Sequence, residues 1–90
     1  MTYEWDEVKN RLNIRKHGID FLDVPSMFQQ PMVTFLDQRA DYGEERWIGI
    51  GVLKTTIAVI VFVEPNEDTV RIISARKAIK HEEQIYRDEI

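Results

Sequence analysis

Apolar and polar positions change rhythm several times along the chain. TYEW at residues 2–5 alternates, with Tyr3 and Trp5 on one side, and predicts a short opening strand. The period then lengthens. Val8 and Leu12 are spaced i, i+4 with Trp5 nearby, which predicts a helix whose Val8 and Leu12 face the core. Asp6 suits its N-cap and Glu7 the positive end of its dipole. Gly18 suits the left-handed C′ position, with Lys16 and His17 in the last turn. Phe21, Val24, Met27 and Phe28 recur at helical spacing, predicting a second short helix over Ile19–Phe28. Asp20 lies near its start, Pro25 imposes a late start or a kink, and Pro31 ends it.

Strand patterns follow. Met32–Leu36 is β-rich, and a polar loop, DQRADYGEE, fills Asp37–Glu45. Arg46–Val52 alternates and ends at a tight hairpin connection, Leu53-Lys54-Thr55. Thr56–Val63 is nearly continuously apolar, as in a central strand buried on both faces. EPNED (64–68) is turn chemistry, Val70–Ala75 is a last strand, and a helix is expected from Ala78 onward. Its stripe is expected to hold Ile79, Tyr86 and Ile90, with Glu83–Arg87 as an exposed pair. Short turns between consecutive strands imply an α+β fold: an antiparallel meander of four to five strands packed with two N-terminal helices and a C-terminal helix.

Ninety residues, 43% of them apolar, predict one domain spanning 1–90. Without cysteine there is neither a disulfide framework nor a thiolate metal site. No leader pattern opens the chain and no apolar run approaches a membrane span, so a cytoplasmic protein with no membrane role is expected.

Charge changes the picture. The formal net charge is −4, but the windows 8–19 and 69–81 contain no Asp or Glu. They hold eight of the twelve Lys and Arg residues and both histidines. Overall acidity argues against indiscriminate coating of nucleic acid, whereas a local basic focus fits a phosphate-binding cleft. Two solvated helix faces would give the same pattern. No glycine-rich phosphate loop or HExxH is present, and His17 and His81 lie far apart, so no metal or cofactor is expected. With only Ser26 and Ser74, no serine triad is favoured.

Cations without metals or cysteines suit one reaction class. RNA is cleaved when its own 2′-hydroxyl attacks the adjacent phosphate. A protein assists by removing that proton, neutralising the phosphorane and protonating the 5′-oxygen. On the first helix, Lys9, Asn13 and His17 fall within about 80° of one another. Lys16 lies beside the expected apolar stripe, its stem free to run along it.

Each residue also has a structural reading. His17 could serve as a dipole partner and Asn13 as a loop tether. Arg76 could bind helix carbonyls or a surface acid, and Arg46 could pair with Glu44 or Glu45. Tyr86 could pack in the core with a tethered hydroxyl. Trp5 and Trp47 read as core rather than as stacking platforms.

WDExKxxxNxxKHGIxF at Trp5–Phe21, GEER at Gly43–Arg46, IG at Ile50–Gly51, and RIISARKA at Arg71–Ala78 followed by Glu82 and Tyr86 resemble the BrnT toxin family. The resemblance runs through nearly the whole chain. It implies a RelE-like fold and a metal-independent endoribonuclease that inhibits translation, the toxin half of a type II toxin–antitoxin module. The implied partners are RNA, a BrnA-type antitoxin with a ribbon-helix-helix domain, and operator DNA only through that antitoxin. Carried over position by position, the family's recurrent polar residues fall on Lys9, Asn13, Lys16, His17, Arg46, Arg71, Ser74, Arg76, Glu82 and Tyr86. Among them His17, Lys16, Arg76, Arg46 and Tyr86 are expected to be catalytic. His17 would transfer protons, Arg76 and Arg46 would stabilise the phosphorane, and Tyr86 would position a base or share proton transfer. Lys9, Asn13, Arg71, Ser74 and Lys77 would bind RNA phosphate. The chain departs from the family pattern at VEPNED (63–68), where many members carry an arginine, and before Glu82, where few basic residues remain. A non-catalytic toxin retained as interaction module and co-repressor is the alternative, and a small ligand-binding domain is a third reading.

Overall fold

In a computed structural model describing residues 1–90, the elements follow the order β1 (Thr2–Glu4), α1 (Glu7–His17), a 3₁₀ segment (Phe21–Gln29), β2 (Val33–Leu36), β3 (Trp47–Leu53), β4 (Thr56–Asn66), β5 (Thr69–Lys77) and α2 (Lys80–Glu89). One five-stranded sheet has the order β1-β5-β4-β3-β2. Strands β2 to β5 form the expected antiparallel meander. The sheet as a whole is mixed, however, because β1 pairs parallel to β5, with Tyr3 opposite Val70. Alternation identifies TYEW as a strand but says nothing about which edge it joins or in which direction.

One face of the sheet carries the core. Ile60, Phe62, Val70, Ile72 and Ala75 pack there against Phe21, Val24 and Met27 of the 3₁₀ segment. Trp5 meets Phe21 edge-on at 6.4 Å between ring centroids, and Phe28 bridges Tyr3 and Phe62. Trp47 also packs against this cluster. The expected second helix thus adopts tighter 3₁₀ geometry, with Asp20 as its N-cap and Pro25 inside it. Strand β3 makes room for this layer at its glycines. A Cβ on Gly49 would lie 2.9 Å from Met32 Sδ, and one on Gly51 would lie 3.4 Å from Met27 Cε.

Both caps of α1 form as its sequence predicts. Asp6 Oδ1 accepts from Val8 N and Lys9 N, and Gly18 adopts φ 72°. Its buried face is a correction. Val8 and Leu12 point outward, 57% and 56% exposed, while Asn10 and Asn13 are buried. The reason lies in what α1 covers. Strand β1 pairs with β5 only as far as Arg71, and beyond that point α1 lies along the edge of β5. Backbone polar groups there need partners, which apolar side chains cannot supply. Asn13 supplies them: its Nδ2 donates to Ala75 O (2.9 Å) and Ile19 O (2.9 Å), and Ala75 N donates to its Oδ1 (3.2 Å). Its carboxamide thus mimics a strand. One turn earlier, Asn10 accepts from Phe21 N and donates to Asp20, tying α1 to the 3₁₀ segment.

A bulge in β5 sets the faces of its second half. Val70 and Ile72 face the core, and strict alternation would send Ser74 and Arg76 the same way. Instead Phe62 pairs with Ile72 and Val61 with Ser74, leaving Ile73 as an extra residue. Past the bulge Ala75 joins the core cluster, and Ser74 and Arg76 turn to the opposite face beside Val59 and Val61. Helix α2 lies over that face through Ile85, and none of its residues is buried. It starts two residues later than Ala78, and Ile79 and Ile90 are exposed rather than packed. Arg87 and Glu83 form the expected i, i+4 pair at 3.7 Å.

The hairpins differ slightly from expectation. Lys54, with φ 56°, turns β3 into β4 as the pattern predicts. β4 continues through Pro65 to Asn66, so the EPNED turn narrows to Glu67 and Asp68.

Candidate functional site

The exposed donors of α1 and the second half of β5 meet. Lys9, Leu12, Asn13, Lys16 and His17 line a shallow depression of about 240 Å³ together with Ile73 and Ser74. No carboxylate lines it. Ser74 also lines an adjacent cavity of about 310 Å³ under α2, with Arg39, Arg76, His81 and Glu82 at the rim and Phe35, Ile48, Ile50, Val59, Val61 and Ile85 as apolar walls. The two cavities share Ser74 in their linings and are together termed the groove. The acid-free windows, remote in sequence, converge because Asn13 fastens α1 to β5 one residue from Ser74.

Arg76 is held rather than free. Its Nη1 and Nη2 donate to the two oxygens of Glu82 at 2.8 and 2.7 Å. That bidentate pair lowers the Glu82 carboxyl and raises the Arg76 guanidinium from their ordinary pKa values, with partial burial opposing both shifts. Glu82 also accepts from Ile79 N at 2.9 Å, so one carboxylate caps α2 and orients Arg76. On α1, Lys9 and Lys16 are exposed and His17 is half-buried. No group of three or more His, Cys, Asp or Glu side chains is placed to hold a metal ion.

Other expected site residues lie elsewhere. Asn13 reaches the groove, but its carboxamide is taken up by backbone, so its expected contact with RNA phosphate gives way to a structural one. Arg71 pairs with Glu4 across the β1–β5 register at 3.4 Å. Lys77 lines a different hollow with Gly18, Asp23 and Lys54. Arg46 stacks over the Tyr42 ring at 4.1 Å, pairs with Glu44, and lines a depression rich in acids. Tyr86 donates its hydroxyl to Pro31 O at 3.4 Å and does not line the groove. Conversely, Arg39 and His81 reach the rim without having been singled out. Arg39 sits in a loop whose polarity hides it, and His81 looks like any residue of a solvated helix.

A family model described as the ribonuclease toxin BrnT of type II toxin–antitoxin systems matches residues 5–82. The chain belongs to the BrnT family. The fold is similar to that in a 1.1 Å crystal structure of the Brucella abortus ribonuclease toxin BrnT. Identity is 30%, the match covers 89% of this chain and 100% of that one, and the TM-score is 0.72. A comparison with curated protein sequences found no match. The BrnT match includes α1, the bulged strand and Glu82, so every lining residue of the groove except Ile85 lies within the matched residues. No helix is long and apolar enough to cross a membrane.

Proposed function

We propose that this protein is the toxin of a type II toxin–antitoxin module. It is read as an endoribonuclease that needs no metal, acts in the cytoplasm and arrests translation. The observation that carries this reading is that the depression lined by Lys9, Lys16 and His17 of α1 shares Ser74 with the cavity lined by Arg76 of β5.

In the proposed reaction His17 takes the proton of the substrate's 2′-hydroxyl, whose oxygen attacks the adjacent phosphorus. The P–O5′ bond breaks, and the leaving oxygen takes a proton from solvent while protonated His17 returns its own to solvent, leaving a 2′,3′-cyclic phosphate and a 5′-hydroxyl. Lys9 and Lys16 hold the backbone. Arg76, pre-oriented by Glu82, meets the charge that grows on the phosphorane, so little reorganisation accompanies the reaction. Arg46, Tyr86, Arg71 and Lys77 lie outside the groove and receive no role in this scheme. Neutralisation would come from a BrnA-type, ribbon-helix-helix antitoxin, whose acidic segment could cover the basic groove and through which alone the complex would reach operator DNA. A RelE-like fold belongs to the same proposal.

The test is cleavage of RNA by the purified protein, with and without EDTA. His17→Ala and Arg76→Ala are each expected to lose about 10²-fold or more in rate, and the products to carry cyclic phosphate ends. Unchanged cleavage by both variants would refute the assignment. A chain that binds antitoxin but cleaves nothing would instead be a co-repressor.

A further inference from the structure

Loop 37–46 is more ordered than its polar sequence indicates. Asp37 is buried at its start, and its backbone N–H donates to Arg46 O at 2.7 Å. Its carboxylate accepts from Arg39 Nε (2.8 Å) and Nη2 (2.7 Å), from Arg39 N (3.2 Å) and from the Tyr42 hydroxyl (3.2 Å). The Arg39 side chain so gripped is 63% exposed and lines the same cavity as Arg76.

We propose that Arg39 is a second phosphate-holding arginine of the groove, paired with Arg76, and that Asp37 is the residue that positions it. The proposal rests on the RNA reading above. Two features beyond proximity support it. Each guanidinium is fixed by a bidentate carboxylate of its own, Asp37 for Arg39 and Glu82 for Arg76, so both side chains are set before any ligand arrives. Each also keeps donors unused: Nη1 of Arg39 and Nε of Arg76 are free of protein partners. Two neighbouring cations repel, and Arg39 opposes, in small part, the larger raising effect of Glu82 on the Arg76 guanidinium. An anion bound by both relieves that repulsion, and the phosphodiester of an RNA backbone is such an anion.

The experiment uses a short RNA methylated at every 2′-oxygen, which cannot cleave itself, with binding read by fluorescence anisotropy at several salt concentrations. Arg39→Gln should bind about tenfold more weakly, with a salt slope smaller by about 0.7. Asp37→Asn should lose a similar factor, and the double variant no more than the worse single one, because both changes release the same guanidinium. Should Asp37→Asn fail to fold, Arg39→Lys decides: it keeps the charge but loses the fork, and should fall between wild type and Arg39→Gln. Wild-type affinity and slope in Arg39→Gln, or losses that add in the double variant, overturn the proposal. The outcomes separate it from the catalytic reading. RNA binding that depends on Arg39 in a protein that cleaves nothing sinks only the nuclease. Cleavage and binding indifferent to Arg39 sink only this clamp. No binding at all sinks both.

Discussion

Asn13 shows how much one side chain can organise. Replaced by Ala, it would leave Ala75 N, Ala75 O and Ile19 O without partners inside the fold. The expected cost is about 2–3 kcal/mol, seen as a lower urea midpoint at unchanged m-value. Its i+4 neighbour His17 makes no comparable bond, so His17→Ala should alter activity and leave the unfolding free energy within about 0.5 kcal/mol of wild type. Asp37 carries a pH signature. The Arg39 guanidinium holds its carboxyl well below the usual carboxylate range. Folding therefore favours the charged form, and the stabilisation is complete above the unfolded pKa of about 4 and fades as pH falls. Wild type should lose more stability than Asp37→Asn between about pH 6 and pH 3, measured as the change in urea midpoint. Equal acid sensitivity would contradict the ion pair.

At the level of elements, α1 was legible in its ends and not in its face. Asp6 and Gly18 act locally, through bonds and dihedrals that neighbouring residues determine, and so the caps follow from sequence. Asp6→Ala should cost about 1 kcal/mol through the lost N-cap. Gly18→Ala should cost a similar amount for backbone reasons alone, about 1 kcal/mol, since a Cβ there meets nothing within 4 Å. Thermal melts of the two variants check both. The face of α1 depends on what lies opposite. Helical periodicity picks out Val8 and Leu12 as inward, but the edge of β5 selects Asn10 and Asn13. Likewise, nothing in RIISARKA announces the bulge at Ile73. Reading the segment as a regular strand would bury Ser74 and Arg76, and only the pairing with Val61 and Phe62 turns them outward.

On the scale of the molecule, a chain of net charge −4 gathers Lys9, Lys16 and His17 around a depression that no carboxylate lines, the surface proposed to hold RNA phosphate. Binding of single-stranded RNA should therefore weaken steeply with salt. Lys9→Ala and Lys16→Ala should each reduce the slope of log affinity against log salt by about 0.7. Arg71→Ala, with its side chain paired to Glu4 away from the groove, should leave the slope unchanged. A titration at several ionic strengths distinguishes these, and equal effects of Lys16 and Arg71 would mean that charge acts diffusely.

The order of elements, the meander, both caps of α1, the acid-free windows and the family were all readable from the residues themselves. Each depends on local bonds, on short-range periodicity or on residue identity at fixed spacing. The parallel placement of β1, the polar inner face of α1, the turning of Ser74 and Arg76, and the arrival of Arg39 beside Arg76 were settled only in three dimensions. They depend on which backbone edges remain to be paired once the sheet has formed, and no stretch of sequence contains both partners of those contacts.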